Sequence, residues 1–273
     1  MTKNRQNQGL ALDSVSVSLG GKSIIEDVSF DVKPGEVVGL IGANGAGKST
    51  AIRAALNLVK IKKGTVSVGG VDAASMTLKD RAKLMSYVPQ GTPVHWPLIA
   101  ERLVALGRTP HLGPWDDVSE ADQMIIKNAM TATDTWHLRD RIATTLSGGE
   151  VARLMLARTI AVGAPYMLAD EPTAALDPYH RLQVMDIMRE HAAKGTGILI
   201  VLHDLSFAQN YCDKLVLMHE GRVLATGAIK DVLSDQNLEA AFQVRVSRWR
   251  DKGVDYLMPS KPLSGGKAIG EEA

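Results

Sequence analysis

Eight consecutive residues, Gly42-Ala43-Asn44-Gly45-Ala46-Gly47-Lys48-Ser49, fit G-x-x-x-x-G-K-[ST] without a gap. Glycines at that spacing let the backbone wrap closely around an anion, so that its N–H groups can donate to phosphate oxygens. Lys48 adds a positive charge near β and γ phosphates, and Ser49 offers a hydroxyl to Mg2+. A helix starting there turns its positive end to the same anion. Gly42, Asn44, Gly45, Ala46, Gly47, Lys48, Ser49 and Thr50 are the expected phosphate-contacting positions. A similar run upstream, Gly20-Gly21-Lys22-Ser23, lacks the first spaced glycine and reads as a hairpin turn.

Two further segments carry chemistry. Met167-Leu168-Ala169-Asp170-Glu171 is an apolar run ending in two acids. Buried parallel strands release functional groups at their carboxyl ends. Asp170 is placed to hold the hydration shell of Mg2+, and Glu171 to polarise the water that attacks a terminal phosphate. Phosphoryl transfer needs mainly positioning and charge neutralisation, so these few groups suffice. Leu146-Ser147-Gly148-Gly149-Glu150 lies just before an amphipathic helix, Val151 to Val162. Ser147, Gly148 and Gly149 would present a hydroxyl and bare N–H groups at a helix N-terminus, a second anion site. Its distance in sequence from the phosphate loop predicts a nucleotide held between two chains.

The elements that must position these groups follow from periodicity. Leu10 to Leu19 and Ile24 to Val32 alternate apolar and polar residues, as half-buried antiparallel strands do. Val37 to Ile41 is a nearly continuous apolar run, expected of a strand covered on both faces. A helix is predicted from about Ser49 to Val59, and strands at Thr65 to Val68 and Leu84 to Val88. From about 92 to 161 the pattern turns helical, as in Ile99 to Leu106 and Ala121 to Ala132, and predicts an inserted helical subdomain. Tyr166 to Ala169, Gly197 to Leu202 and Lys214 to Met218 read as strands, with a helix over Tyr179 to Ala193 and a last hairpin closing at Arg222 to Thr226. Strands alternating with helices predict an α/β fold with a mainly parallel sheet. Periodicity weakens from about Ser247, predicting a mobile tail over 247–273 after a domain at 8–246.

The chain has 273 residues, with 31 Lys and Arg against 30 Asp and Glu. That balance lacks the basic excess of nucleic-acid-binding modules, so no nucleic-acid partner is expected. A lone cysteine, Cys212, fits a reducing compartment. No stretch approaches the roughly 18 apolar residues of a membrane-spanning helix, and Thr2 to Gln8 is polar with no signal-peptide core behind it. A cytoplasmic protein is expected.

With Gln90 after a strand, Ala175-Leu176-Asp177, and His203 after an apolar run, these segments occur in the order and spacing of the ATP-binding-cassette (ABC) ATPases. The chain resembles that family over nearly all of residues 10 to 245. The resemblance implies a RecA-like P-loop NTPase core, an N-terminal antiparallel β-subdomain and the inserted helical subdomain. It implies ATP and Mg2+ as ligands, with Mg2+ held by Ser49, Gln90 and Asp170. It implies catalytic roles for Glu171, His203, Gln90 and Lys48, with Gln90 and His203 sensing the γ-phosphate and Asp177 in the loop that crosses the dimer interface. Two copies would close head to tail over two ATP molecules, each touching the phosphate loop of one chain and Ser147 to Gly149 of the other. The aromatic residue that stacks on adenine in many members is replaced near Leu19, Val151 stands where Gln is common, and Ala175 where Ser is.

Gly107-Arg108-Thr109-Pro110-His111 is similar to the GRxPH element of importers for iron chelates, haem and cobalamin, as are Leu138 to Arg141 and His203-Asp204-Leu205. The alternative for the first is a surface turn with a helix-breaking proline. The implied partners are a second cassette, integral-membrane permease subunits and, indirectly, a periplasmic or surface substrate-binding protein. The implied location is the cytoplasmic face of the plasma membrane. The alternatives are a separate-chain exporter subunit and a soluble cassette acting on nucleic acid or ribosomes. His95, His111 and His137 lack identifiable convergent metal partners. A second Leu-Ser-Gly-Gly run, Leu263 to Gly266, is assigned no role.

Overall fold

The computed structural model describes residues 9–91 and 94–263. In chain order the first strands are β1 (Leu10–Leu19), β2 (Lys22–Val32) and β3 (Val37–Gly42). Helix α1 (Lys48–Ala55) precedes β4 (Lys63–Val68), β5 (Val71–Asp72), α2 (Leu78–Leu84) and β6 (Met85–Val88). Three helices follow, α3 (Ala100–Ala105), α4 (Glu120–Ala132) and α5 (Gly148–Val162). The chain continues through β7 (Tyr166–Asp170), α6 (Pro178–Ala193), β8 (Gly197–Val201), α7 (Leu205–Tyr211), β9 (Lys214–His219) and β10 (Arg222–Gly227). It ends in α8 (Ile229–Val232), α9 (Asp235–Phe242), β11 (Val244–Asp251) and β12 (Val254–Pro262).

The central sheet has the order β10-β9-β3-β8-β7-β6. Its strands are parallel except for β10, which pairs antiparallel to β9 at one edge. All residues of β3, β7 and β8 are buried, which is why they read as unbroken apolar runs. A second, antiparallel sheet of order β2-β1-β4-β5 lies over one face and encloses α1. Its β2 alternates between buried Ile25, Val28, Phe30 and Val32 and more exposed neighbours. Helices α6 to α9 cover the opposite face. A third apolar cluster, including Leu103, Ile126, Met130 and Leu154, joins α3, α4 and α5.

Two expectations are corrected. Helix α1 ends at Ala55 rather than near Val59, because Asn57 takes a left-handed φ of 53° and the Leu58 amide donates back to the Arg53 carbonyl. Residues 247–262 are not a mobile tail: β11 and β12 form an antiparallel hairpin against α7 and α9. Only Leu257 of the two strands is buried, so the alternation that marks a half-buried strand is too faint to read. Ser264 to Gly266 of the second Leu-Ser-Gly-Gly run lie outside the described residues. Among the described residues, no helix is long and apolar enough to cross a membrane.

Candidate functional site

Four parallel strands end at one edge of the central sheet, and each delivers part of the site. From β3 comes the phosphate loop, from β8 His203, from β7 Asp170 and Glu171, and from β6 Gln90. Because β3, β8, β7 and β6 are consecutive neighbours, segments far apart in sequence meet along one line. Asn44, Gly45, Gly47, Lys48, Ser49, Thr50, Gln90, Glu171 and His203 line one cleft of about 610 Å3.

The loop geometry depends on glycine at its two ends. Gly47 caps α1 with φ 98°, and a Cβ there would strike the Ile25 side chain. Gly42 has φ 149°, and a Cβ would strike the Met218 carbonyl on the neighbouring β9. Lys48 is only 6% exposed, and its Nζ donates to the Gly42 carbonyl at 2.8 Å and the Ala43 carbonyl at 3.0 Å. Burial lowers its pKa, while the Glu171 and Asp170 carboxylates push it back up.

Ser49 Oγ donates to Asp170 Oδ1 at 3.2 Å. Asp170 is 1% exposed; burial raises its pKa, the Ser49 hydrogen bond lowers it and the neighbouring Glu171 charge raises it. The positive charges of Arg53 and Lys48 also lower it. Glu171 has a left-handed φ of 53°, a strained conformation for a side-chain-bearing residue at a strand end. Gln90 Nε2 donates to Glu171 Oε2 at 2.6 Å, and His203 Nε2 is in contact with Glu171 Oε1. Both oxygens of Glu171 are therefore engaged.

This arrangement fits a triphosphate with a hard divalent cation. A buried ammonium faces the cleft, and a Cβ on Gly45 would meet open space, leaving room for an anion against the loop backbone. One hydroxyl and one carboxylate, Ser49 and Asp170, lie side by side. Mg2+ is usually held by one or two such groups, with phosphates and water completing an octahedron. No group of three or more His, Cys, Asp or Glu that could hold a metal occurs among the described residues.

Ser147 and Asp177 stand elsewhere in the single chain. Ser147 caps α5: its Oγ donates to Glu150 Oε2 at 2.8 Å and accepts from the Glu150 amide at 3.3 Å. The Ser147 amide donates to the same carboxylate at 2.7 Å, and these bonds hold Glu150 below its usual pKa. In the single chain the hydroxyl is thus committed to a capping box rather than presented free as the sequence reading expected. Gly148 lines a second cavity of about 650 Å3, which shares Gln90 and Glu171 with the phosphate cleft. Asp177 caps α6, accepting from the His180 amide at 3.0 Å and contacting His180 Nδ1 at 2.7 Å. Those bonds, the amide first, lower its pKa.

Some site residues were not read from the sequence. Ile24, rather than Leu19, lines the phosphate cleft on the β2 side. Arg53 reaches Asp170 electrostatically from the last turn of α1. His180, three residues after Asp177, fits the spacing of an N-cap partner and was legible in principle. The Gly107–His111 segment is not a plain surface turn. Arg108 is 8% exposed, its Nε donates to Asp122 Oδ1 at 2.7 Å, and its Nη1 donates to the Ala161 and Val162 carbonyls at 2.8 and 3.1 Å. His111 Nε2 also lies 2.8 Å from the Val162 carbonyl. The motif therefore caps the C-terminus of α5, whose N-terminus carries Ser147.

The chain is similar in sequence and fold to known proteins. The hemin import ATP-binding protein HmuV of Rhodococcus jostii is 39% identical over 256 residues, 92% of this chain and 86% of that protein. The cobalamin import ATP-binding protein BtuD of Halobacterium salinarum is 36% identical over 239 residues, 87% of this chain but 60% of the relative's length. A solved ATP-binding subunit of an ABC transporter, 29% identical, superposes with a TM-score of 0.74 over 86% of this chain and 95% of its own. A family model described as ABC transporter matches residues 25–174, more than half of the sequence. The chain belongs to the ABC transporter family.

Proposed function

We propose that the chain is the ATP-binding and ATP-hydrolysing subunit of an importer, driving uptake of haem, a ferric siderophore or cobalamin through separate membrane subunits. The observation that carries the ATPase reading is the convergence of the phosphate loop, Asp170, Glu171, Gln90 and His203 on one sheet edge. The relatives named for hemin and cobalamin import support the cargo class, and the Gly107–His111 motif is in keeping with it.

Gly42, Asn44, Gly45, Ala46, Gly47, Lys48, Ser49 and Thr50 would hold the phosphates through the loop amides and the Lys48 ammonium. Ser49, Asp170 and Gln90 would hold Mg2+, which supplies charge neutralisation on the β and γ oxygens when bound. Gln90 and His203, which occupy both oxygens of Glu171 in the single chain, would turn to the γ-phosphate side of the cleft. Glu171 is then free to accept a proton as a water oxygen attacks the γ-phosphorus and the β–γ bridging bond breaks. Ser147, Gly148, Gly149 and Asp177 of one chain would complete the site of its twin. The exposed position of Ser147 and Asp177, away from their own chain's cleft, supports this sandwich. Closure and reopening of the pair at the inner face of the plasma membrane would move the permease, with a substrate-binding protein delivering cargo from outside.

The test is co-purification with the membrane subunits, followed by ATPase assays with binding protein loaded with haem, ferric siderophore or cobalamin. One cargo is expected to stimulate turnover. Absence of stimulation by all three, in a complex that hydrolyses ATP, would overturn the cargo reading.

A further inference from the structure

We propose that the C-terminal hairpin is a positioning clamp for His203, acting through α7. The inference rests on the reading of His203 as a γ-phosphate contact. Helix α7 starts two residues after His203, and its N-cap Asp204 accepts from the Ser206 and Phe207 amides at 2.8 and 3.1 Å. The backbone of His203 is thereby tied to the orientation of α7. That helix has seven residues, too few to be stable alone, so packing must fix its direction.

Strand β12 supplies that packing at two successive turns. Ser206 Oγ donates to the Leu257 carbonyl at 3.0 Å and accepts from the Leu257 amide at 3.2 Å, so one hydroxyl engages both backbone groups of one residue. One turn on, Asn210 Nδ2 donates to the Asp255 carbonyl at 2.7 Å. The Leu257 side chain is 3% exposed and joins the cluster that contains Leu205 and Ala208 of α7. Opposite Leu257, Arg248 of β11 pairs with Asp235, and its Nη2 donates to the Leu233 carbonyl at 2.5 Å, fastening the hairpin to the α8–α9 junction. The hairpin thus links a fixed point at α8 and α9 to the helix behind His203. A two-stranded hairpin is marginally stable by itself, so its contribution lies in these specific attachments.

Two variants of the full chain test this: Ser206→Ala/Asn210→Ala, which removes the clasp, and the milder Leu257→Val. Each is made in the parent and in a His203→Ala background, with ATPase kcat, KM and Tm measured. The clasp variant is expected to lose kcat roughly tenfold, as for a misplaced reacting group, with KM for MgATP within about twofold. In the His203→Ala background the same changes are expected to cause no further loss. Met258→Ser, on the exposed side of β12, is expected to turn over like the parent. Equal fold losses in both backgrounds, or a lowered Tm with kcat unchanged, would overturn the clamp. If His203→Ala turned over like the parent, the reading of His203 would fall and the clamp with it. If His203→Ala were slow and the clasp variants fast, the clamp alone would fall.

Discussion

Replacing Lys48 by Ala removes the ammonium buried in the phosphate cleft. In the resting chain it holds two loop carbonyls at 2.8 and 3.0 Å; with a triphosphate bound it would exchange them for anionic oxygens. Hydrogen bonds to charged groups contribute about 1.5–3 kcal/mol. At about 1.4 kcal/mol per tenfold, ATP should bind roughly 10- to 150-fold more weakly to Lys48→Ala. AMP has neither β nor γ phosphate, so its affinity should change by less than about threefold on the same reasoning. Titration calorimetry with ATP, ADP and AMP reads both quantities, and thermal melting confirms that the variant is folded. An ATP affinity within threefold of the parent in a folded variant would refute the reasoning, as would an equal loss for AMP.

Asp170→Asn should separate stability from activity. Burial raises the Asp170 pKa, so its contribution to stability is present below the ordinary aspartate pKa and lost as pH rises through the raised value. At neutral pH the nucleotide-free variant should therefore melt higher than the parent, with the gain shrinking toward pH 4 and below, while MgATP turnover falls about 10²-fold or more. A lower melting temperature at pH 7 would contradict the sign. Arg108→Ala leaves Asp122 without its guanidinium and the Ala161 carbonyl without its side-chain donor, while Val162 keeps the His111 contact; the loss is about 3–5 kcal/mol for a broken buried pair. Thermal melting should fall by roughly 6–20 °C, and a shift under 3 °C would show that the motif does not brace α5. Ile24 offers adenine apolar surface without a π face, so ATP and GTP should bind within about tenfold of each other; a hundredfold preference would point to a base-reading group elsewhere.

The parallel core was legible because β3, β7 and β8 are buried on both faces and their sequences are continuously apolar. Much of the chemistry was legible for a related reason: Asp170, Glu171, Gln90 and His203 lie within two residues of a parallel strand's carboxyl end, and the phosphate loop opens at the end of β3. What remained hidden depends on contacts across the chain. The end of α1 turns on Asn57 adopting a left-handed conformation, which its residue type permits without requiring. The C-terminal hairpin buries one leucine, too little for a pattern. The engagement of Glu171 by Gln90 and His203 joins three strand ends, which no local spacing encodes. The bracing contacts of Arg108 were hidden because its partners, Asp122 and the end of α5, come from two other helices.

The claim at the centre is that nucleotide is held between two copies of this chain, by the lysine loop of one and the Ser147 helix end of the other. Its most direct measurement is the mass in solution of Glu171→Gln, which should bind ATP without hydrolysing it. With saturating MgATP, light scattering should give twice the 29.3 kDa chain mass, reverting to one chain in ADP and when Ser147→Arg is added. A Glu171→Gln chain that stayed single in ATP, or a pair indifferent to Ser147→Arg, would contradict the account.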